Sequence, residues 1–296
     1  MMESHLNSVL KACENMIREG STTFYRAFGF LPSPRREAVY VIYAFCRMID
    51  DAMDEPEKSP YTLDELVQLF DHLEDAEGHF IWPALRWLFE RFPLSKEPFY
   101  EQIAGQRMDE ILTHYDTMEQ LETYCYHVAG TVGEMLLPVL HDCPDASIVQ
   151  SGIWLGKAMQ IVNIVRDVGE DQGKGRRYIP LDLMARHGYS EAEWRAGLVN
   201  DSWISLVQEL SVLAREWFER GMENLDSYPA VSGFCVAMAA RMYEGILDDV
   251  KHHHYNVYTR RAYVTGLRKM AILKRLAVQH GMTALLKDNQ ESSAVS

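Results

Sequence analysis

Two segments of this 296-residue chain carry pairs of aspartates separated by four positions. Asp50 and Asp54 form the first pair, and Asp167 and Asp171 form the second. On a helix, residues four apart lie on the same face. A single pair is also typical of a solvated helix end. However, most neighbours of the second pair are apolar, and buried carboxylates are costly unless cations neutralise them. The repeated pattern therefore indicates a cation site.

Further polar side chains share the helix faces of the two aspartate pairs. The predicted stripes are Tyr43, Arg47, Asp50 and Asp54 in the first segment, and Gln160, Asn163, Asp167 and Asp171 in the second. Oxygen donors without His or Cys suit a hard cation, and Mg²⁺ combines one or two carboxylates with water and substrate phosphates. We therefore expect the two stripes to face each other and to bind Mg²⁺ ions that bridge to a diphosphate.

A basic segment follows the second aspartate pair. Lys174, Arg176 and Arg177 come directly after Asp171, and two glycines interrupt the segment. Arginine binds phosphate oxygens through paired hydrogen bonds, whereas lysine acts as a point charge. The segment predicts a flap over diphosphates, and an ordinary basic loop is the alternative.

Two other segments contain small or polar residues that could contact a ligand. Residues 20–23, Gly-Ser-Thr-Thr, precede Phe24 and Phe28, which are one helical turn apart. The hydroxyls fit contact with a phosphate and the rings fit the wall of an apolar tunnel, although a helix N-cap with two core aromatics is an equal alternative. Small residues around Val128 and Ala129 permit either close helix packing, the commoner case, or room for a ligand.

The elements that must position these residues are helices. Apolar residues recur at intervals of three and four, and no convincing strand pair is present. Prolines, Pro138 among them, separate the predicted helices because each removes a backbone donor. The predicted helices span 35–54, 63–76, 118–137, 146–171, 202–226, 230–250 and 261–285. We expect an all-α fold in one domain over residues 1–286 and a disordered polar tail over 287–296.

Composition restricts the classes of function. The chain has 29 Lys and Arg against 43 Asp and Glu, and its net charge of −14 would repel a nucleic-acid backbone. Five cysteines form no CxxC pair, which fits a reducing cytosol. The N-terminus lacks a signal-peptide pattern, and no apolar run reaches the roughly 18 residues of a membrane span. We expect a cytoplasmic protein without a nucleic-acid partner, at most peripheral to the inner face of a membrane, and a monomer or weak dimer.

Ordered motifs along nearly the whole chain resemble the squalene/phytoene synthase family, and within it the bacterial dehydrosqualene (4,4'-diapophytoene) synthases. The motifs that carry the resemblance are Val41 to Asp54, YCYHVAGTVGE from Tyr124, QIVNIVRDVGED from Gln160, GRRYIP from Gly175 and AARMYEGILDDV from Ala239. The resemblance implies the helical isoprenoid-synthase fold around a central cavity, with the two aspartate motifs facing each other.

The resemblance also implies a reaction. It predicts head-to-head condensation of two farnesyl diphosphates through presqualene diphosphate to a C30 product, dehydrosqualene, for carotenoid biosynthesis. Squalene synthase with NADPH, phytoene synthase with geranylgeranyl diphosphate and farnesyl diphosphate phosphatase stay open as alternatives, and NADPH is not favoured. A noncatalytic prenyl-lipid binder is the alternative outside the enzymes, and the completeness of both aspartate motifs counts against it.

Residue roles are implied by the same resemblance. Asp50 and Asp54 would bind one Mg²⁺, and Asn163, Asp167 and Asp171 would bind one or two more. Tyr124 joins the four aspartates as a catalytic candidate, while the proton acceptor, diphosphate or a tyrosine hydroxyl, is unassigned. The residues expected to contact substrate are Gly20, Ser21, Thr22, Thr23, Phe24, Phe28, Tyr43, Arg47, Val128, Ala129, Gln160, Arg166, Arg176, Tyr243 and Arg261.

Two details of this sequence qualify the resemblance. Relatives often carry basic residues where this chain has Gly20 and Thr22, so hydroxyls and backbone amides would have to bind phosphate there. At the apolar end, Phe24 and Phe28 would shorten the tunnel. Tyr40 would add to its floor, whereas the small residues Gly152 and Gly175 would leave it wider. We expect a moderate preference for a C15 over a C20 substrate.

Overall fold

The computed structural model describes residues 2–282, which fold into helices joined by short turns. The α-helices are α1 (Met2–Gly20), α2 (Thr22–Phe28), α3 (Arg35–Asp54), α4 (Leu63–Asp71), α5 (Ile81–Arg91), α6 (Glu97–Ile111), α7 (Met118–Cys125), α8 (Thr131–Leu140), α9 (Ala146–Gly173), α10 (Leu181–Arg186), α11 (Glu191–Ala196), α12 (Asp201–Met222), α13 (Ala230–His252) and α14 (Gly266–Gln279). Tyr126–Gly130 is π-helical, and Leu225–Ser227 is a 3-10 turn. Extended pairing within residues 2–282 is limited to one bridge between His114 and Arg177, so the all-α prediction is confirmed.

Side-chain caps fix where several helices begin. Ser21 caps α2 by accepting a hydrogen bond from the Phe24 amide, and Asp145 accepts from two amides at the start of α9. Thr265 caps α14 by accepting from the Arg268 amide. Each cap satisfies a backbone donor that has no partner within its helix. The caps thereby set the register from which the side chains of these helices project.

Some predicted helix boundaries are wrong. α4 ends at Asp71 rather than 76, and α12 ends at Met222 rather than 226. α14 begins at Gly266 rather than 261 and ends at Gln279. Apolar spacing overextends a helix where the following turn also buries its residues, and Leu73 and Ala76 after α4 are both buried.

Pro138 does not end the helix that it was expected to break. It lies inside α8, which continues to Leu140. Only one hydrogen bond near the end of the helix is lost there, so the helix tolerates it. The predicted helix over 118–137 is instead divided by the π-helical turn, a feature that occurs frequently at functional sites.

The central helix of the fold is α9. It packs against α8, α12 and α13, and against the π-helical turn. Its crossing with α8 is close, because a Cβ on Gly133 would collide with the carbonyl of Gly152, and a Cβ on Gly156 would collide with the carbonyl of Ala129. The small residues of this segment therefore allow close helix packing, and whether the segment also contacts a ligand stays a prediction.

The two aspartate-bearing helices lie on either side of α8. α8 packs against both α3 and α9, and α6 packs against α3 and α8. α13 is the described helix that is long and apolar enough to cross a membrane, but 78% of its apolar window is buried inside the fold, as in a core helix. The predicted domain end at 286 and the predicted tail over 287–296 lie outside the described residues.

Candidate active site

A cavity of about 630 Å³ collects the side chains that the sequence predicts for the site. Every one of these residues lines it. They are Gly20, Ser21, Thr22, Thr23, Phe24, Phe28, Tyr43, Arg47, Asp50, Asp54, Tyr124, Val128, Ala129, Gln160, Asn163, Arg166, Asp167, Asp171, Arg176, Tyr243 and Arg261. The structure thus brings these metal-binding, catalytic and substrate-contact candidates together, while the role of each residue stays a prediction.

The segment after α9 connects the two aspartate pairs. Arg176 donates to Asp54 at 2.8 Å, and Lys174 Nζ lies 3.6 Å from Asp54 and 3.3 Å from Glu170. Gly175 has a φ of 75°, which lets the chain turn between the two cations. Arg177 differs, because it is buried and donates to the carbonyl of Ile179. Two of the three predicted flap cations therefore lie beside the carboxylates.

Asp50 and Asp171 have strongly raised pKa values. Burial raises the pKa of Asp50 to about 7 against the opposing charge of Arg47. Burial, helped by the charge of Asp167, also raises the pKa of Asp171 to about 7. Gln106 donates to Oδ1 of Asp50 at 2.7 Å. Because the ionised form of each carboxylate is unfavourable, each favours the approach of a cation or a proton.

Asp167 is instead held in an ion-paired state. Arg166 Nε and Arg261 Nε donate to its Oδ1 at 2.8 and 2.7 Å. Burial opposes ionisation, but the two arginines outweigh it and lower the pKa of Asp167. Arg47 similarly pairs with Asp51 at 2.6 Å. The arginines predicted to bind diphosphate thus contact carboxylates in the structure.

The oxygen ligands of the two stripes fit a hard cation that takes its remaining ligands from water and phosphate. Within residues 2–282, no group of three or more His, Cys, Asp or Glu is arranged to hold a metal ion without help. Oδ1 of Asn163 is buried without a hydrogen-bond partner, and it belongs to the same stripe as Asp167 and Asp171. Mg²⁺ takes much of its coordination from water and phosphate. Carboxylates on opposite walls suit that mode of binding.

Residues 20–23, which were predicted to contact phosphate, have a basic neighbour that the sequence did not predict. Lys269 of α14 donates to Oγ1 of Thr22 at 3.1 Å and lines the cavity. Hydroxyls and amides are therefore not the only polar groups at residues 20–23, and which of these groups would bind phosphate stays a prediction. Ser21 serves as the helix cap, and Gly20 leaves the space that the hydroxyl of Tyr43 occupies.

Aromatic and small residues form the apolar part of the cavity. The rings of Phe24 and Phe28 are 6.0 Å apart, and Phe24 stacks on Tyr243 at 5.2 Å. The expectations for Tyr40 and Gly175 are wrong, since neither lines the cavity. Tyr40 packs instead against Tyr25 at 5.8 Å, and a Cβ on Gly175 would meet open space. The aromatic part of the apolar wall therefore comes from α2 and α13, and apolar side chains of α3, α8 and α9 line the same cavity.

A third polar stripe lies on α6 and was not predicted. Gln102, Gln106 and Asp109 all line the cavity. Asp109 is buried, and its Oδ2 accepts hydrogen bonds from the hydroxyls of Tyr124 and Tyr178 at 3.0 and 2.9 Å. The spacing of these three residues places them on one helix face, which is the signal that sequence reasoning overlooked.

The sequence profile of the squalene/phytoene synthase family matches residues 17–268. The chain belongs to this family. Its members and structural neighbours are prenyltransferases, and their helical isoprenoid-synthase fold is the one found here.

Relatives within the family carry different product names. The chain is 37% identical to a phytoene synthase of Arthrospira platensis over 88% of this chain and 90% of that protein. It is 38% identical to a 15-cis-phytoene synthase of Synechocystis sp., over 88% of this chain and 82% of that protein. A dehydrosqualene synthase solved in complex with a ligand is 34% identical, with a TM-score of 0.87 over 93% of this chain and 98% of that one. The family is thus fixed, and the product is not.

The squalene/phytoene synthase fold explains why Lys269 and Asp109 escaped prediction. Lys269 is 247 positions from Thr22 along the chain, and only the packing of α14 brings it to the cavity. Asp109 is a single carboxylate whose partners come from α7 and from the segment after α9. No local spacing encodes either contact.

Proposed function

We propose that this protein condenses two prenyl diphosphates head to head. The observation that carries the proposal is one cavity with two polar walls and an apolar extension. The carboxylates of α3 and α9 lie near Arg166, Arg176 and Arg261, and the rings of Phe24 and Phe28 line the same space. A diphosphate needs the first environment, and a polyisoprenoid chain needs the second.

The proposed reaction has two halves. In the first, the C1–O bond of one substrate breaks, diphosphate leaves with the electron pair, and the double bond of the second substrate attacks the allylic cation. Loss of a proton closes a cyclopropane ring and gives presqualene diphosphate. In the second half the remaining C–O bond breaks, the skeleton rearranges, and loss of another proton gives dehydrosqualene. Squalene would instead require hydride from NADPH.

The chain supplies charge and exclusion of water for these steps. Arg166, Arg176, Arg261 and Lys269 would hold the diphosphate oxygens as negative charge develops on the leaving group. The aromatic wall of Phe24, Phe28 and Tyr243 keeps water from the cations. Asp50 and Asp54 would hold one Mg²⁺, and Asn163, Asp167 and Asp171 would hold one or two others. Bound there, Mg²⁺ supplies Lewis-acid stabilisation of the diphosphate.

We propose farnesyl diphosphate as the substrate, with geranylgeranyl diphosphate as the second candidate. Support for the C15 chain comes from Phe28, which is 4% exposed and occupies the apolar part of the cavity. Support for the C20 chain comes from the relatives named phytoene synthase. The two candidates differ only in the chain length that the apolar wall admits.

Product analysis tests the proposal. The protein is incubated with each diphosphate, with Mg²⁺ or EDTA and with or without NADPH, and the products are identified by mass. Dehydrosqualene, a C30 hydrocarbon, formed from farnesyl diphosphate with Mg²⁺ alone is the expected result. A C40 product would overturn the chain length, and squalene formed only with NADPH would overturn the final step. Farnesol alone, or no conversion, would overturn condensation in favour of a phosphatase or a lipid binder.

We also propose a cytoplasmic enzyme that contacts a membrane through α14 to release its hydrocarbon product. α14 has no carboxylate, and its Leu267, Met270 and Val278 are exposed beside Lys274 and Arg275. Apolar side chains flanked by cations favour an anionic lipid surface. Sedimentation with anionic vesicles should fall for Leu267→Asp but not for Leu198→Asp, an exposed leucine on another segment. A monomer or weak dimer stays our prediction for the assembly.

A further inference from the structure

Asp109 is the most deeply placed carboxylate that the proposed metal and diphosphate contacts do not use. It is 7% exposed, and its Oδ2 accepts from Tyr124 at 3.0 Å and from Tyr178 at 2.9 Å. Arg176 lies near enough for its charge to act on Asp109, but burial dominates and raises the pKa of Asp109. The carboxylate thus lies in the cavity wall with two hydroxyls as its partners.

The geometry of the two tyrosines leaves little freedom for their hydroxyls. Both residues are buried and line the cavity, and their rings stack at 5.0 Å with an angle of 24°. Tyr115 packs against both rings, at 5.3 Å from Tyr124 and 5.7 Å from Tyr178. The rings are therefore fixed by packing, and the hydroxyl protons by one shared acceptor.

The hydroxyls of Tyr124 and Tyr178 have no further proton to donate. A tyrosine hydroxyl has one proton to donate and lone pairs to accept. Because Tyr124 and Tyr178 both donate to Asp109, each can offer only lone pairs to any other group. Neither hydroxyl is then available to donate to a leaving diphosphate. Oxygen lone pairs in the cavity wall would stabilise a nearby carbocation once bound prenyl chains exclude water, since charge interactions are strong where water is excluded.

We propose that Asp109 is a positioning residue that takes up the hydroxyl protons of Tyr124 and Tyr178 and so leaves their oxygen lone pairs to face the reacting prenyl chain. This inference rests on the proposed condensation, because it assigns the oxygens to cations formed in that reaction. It gives Tyr124 an electrostatic role and excludes it as an acid toward diphosphate.

The test is the Asp109→Asn variant, with Glu110→Gln as its matched control. Glu110 is the exposed neighbour on α6, so the control makes the same carboxylate-to-amide change away from the cavity. We expect Asp109→Asn to lower kcat at least about tenfold while KM for farnesyl diphosphate changes less than about twofold, because the hydroxyls and not the diphosphate contacts are altered. The control should match wild type. Equal activity of both variants would overturn the proposal.

A double-mutant comparison separates positioning from a structural role. In a Tyr124→Phe/Tyr178→Phe background the hydroxyls are absent, so Asp109→Asn should add less than about a twofold further loss in kcat. Full additivity of the two losses would overturn the proposal, because Asp109 would then act without the tyrosines.

A spectroscopic measurement keeps the inference testable apart from activity. The intensity ratio of the tyrosine doublet in the Raman spectrum depends on whether the phenol hydroxyl donates or accepts a hydrogen bond. The difference spectrum of wild type minus Tyr124→Phe should therefore show a hydrogen-bond donor. The same difference spectrum taken in the Asp109→Asn background should no longer show this donor. A wild-type acceptor signature would overturn the geometry. If wild type did not condense prenyl diphosphates, the proposed function would be overturned, but the Raman result would still show whether Tyr124 donates to Asp109.

Discussion

Replacing Asp50 by Asn should abolish turnover and at the same time stabilise the protein above neutral pH. Asp50 lies in the cavity wall, where burial raises its pKa from 3.8 to about 7. Between these two values the folded protein holds a proton that the unfolded chain has released. Stability therefore falls as the pH rises through this window, and the loss is complete above about pH 7.

The magnitude follows from the size of the shift. About three pKa units correspond to roughly 4 kcal/mol, and this is an upper limit because solvent in the cavity screens the charge. An asparagine carries no charge at any pH, and its Oδ1 can still accept the hydrogen bond that Gln106 donates at 2.7 Å. We expect Asp50→Asn to exceed wild type in unfolding free energy by about 1–3 kcal/mol at pH 8. The two proteins should differ little at pH 4.

Urea denaturation in metal-free buffer at pH 4 and pH 8 measures this difference, and product formation with Mg²⁺ measures turnover. Asp75→Asn is the control, because Asp75 is exposed and outside the cavity. It should leave both stability and turnover near wild type. A variant that is less stable than wild type at pH 8, or equally stabilised at both pH values, would refute burial as the origin of the shift. Turnover within about threefold of wild type would refute Asp50 as a metal ligand.

Three further predictions concern the cations and the apolar wall. The apparent affinity for Mg²⁺ should weaken about tenfold or more per pH unit below pH 7, because the metal must displace protons from Asp50 and Asp171. Titrating activity with Mg²⁺ between pH 5.5 and 8 measures this dependence. A half-saturating Mg²⁺ concentration that does not change with pH would contradict it. Lys269→Ala should raise KM for the diphosphate with a change in Tm of less than about 2 °C, whereas an unchanged KM would make the lysine only a partner of Thr22. Phe28→Ala should increase use of geranylgeranyl diphosphate and cost about 3–5 kcal/mol of stability. Phe70→Ala, which removes a buried ring outside the cavity, should cost similar stability without changing the preference between C15 and C20 substrates. The same C15/C20 preference in both variants would refute a role of Phe28 in the tunnel wall.

Local periodicity explains which features of the site could be predicted. The stripes of α3 and α9 follow from helical spacing, since residues three and four apart share a face whatever surrounds the helix. The sequence left Phe24 and Phe28 open between core and ligand wall. In the structure the two rings pack together and line the cavity, and their contact with a ligand stays a prediction. Tyr40 shows the limit of prediction from helical spacing. It lies on α3 with Tyr43 and Arg47, but its side chain packs against Tyr25 and not along the cavity.

Contacts between distant segments account for what could not be predicted. The partner of an arginine depends on the packing of helices, and Arg176 meets Asp54 across 122 positions of sequence. The sequence showed that cations and carboxylates occur in the same motifs. It did not show that they neutralise one another, because that depends on the orientation of side chains across the cavity.

The ion pairs across the cavity bear on how substrate would bind. Arg176 holds Asp54, and Arg166 and Arg261 hold Asp167, so each carboxylate already has a positive partner. Entry of Mg²⁺ with a diphosphate would replace these partners, since the carboxylates would bind the metal and the arginines the phosphate oxygens. Asp54, Asp167 and the three arginines would thus keep partners of opposite charge before and after binding. The arginines would therefore stabilise an acidic cavity when it lacks substrate and bind the leaving group when substrate is present, so removing one should affect both stability and diphosphate affinity.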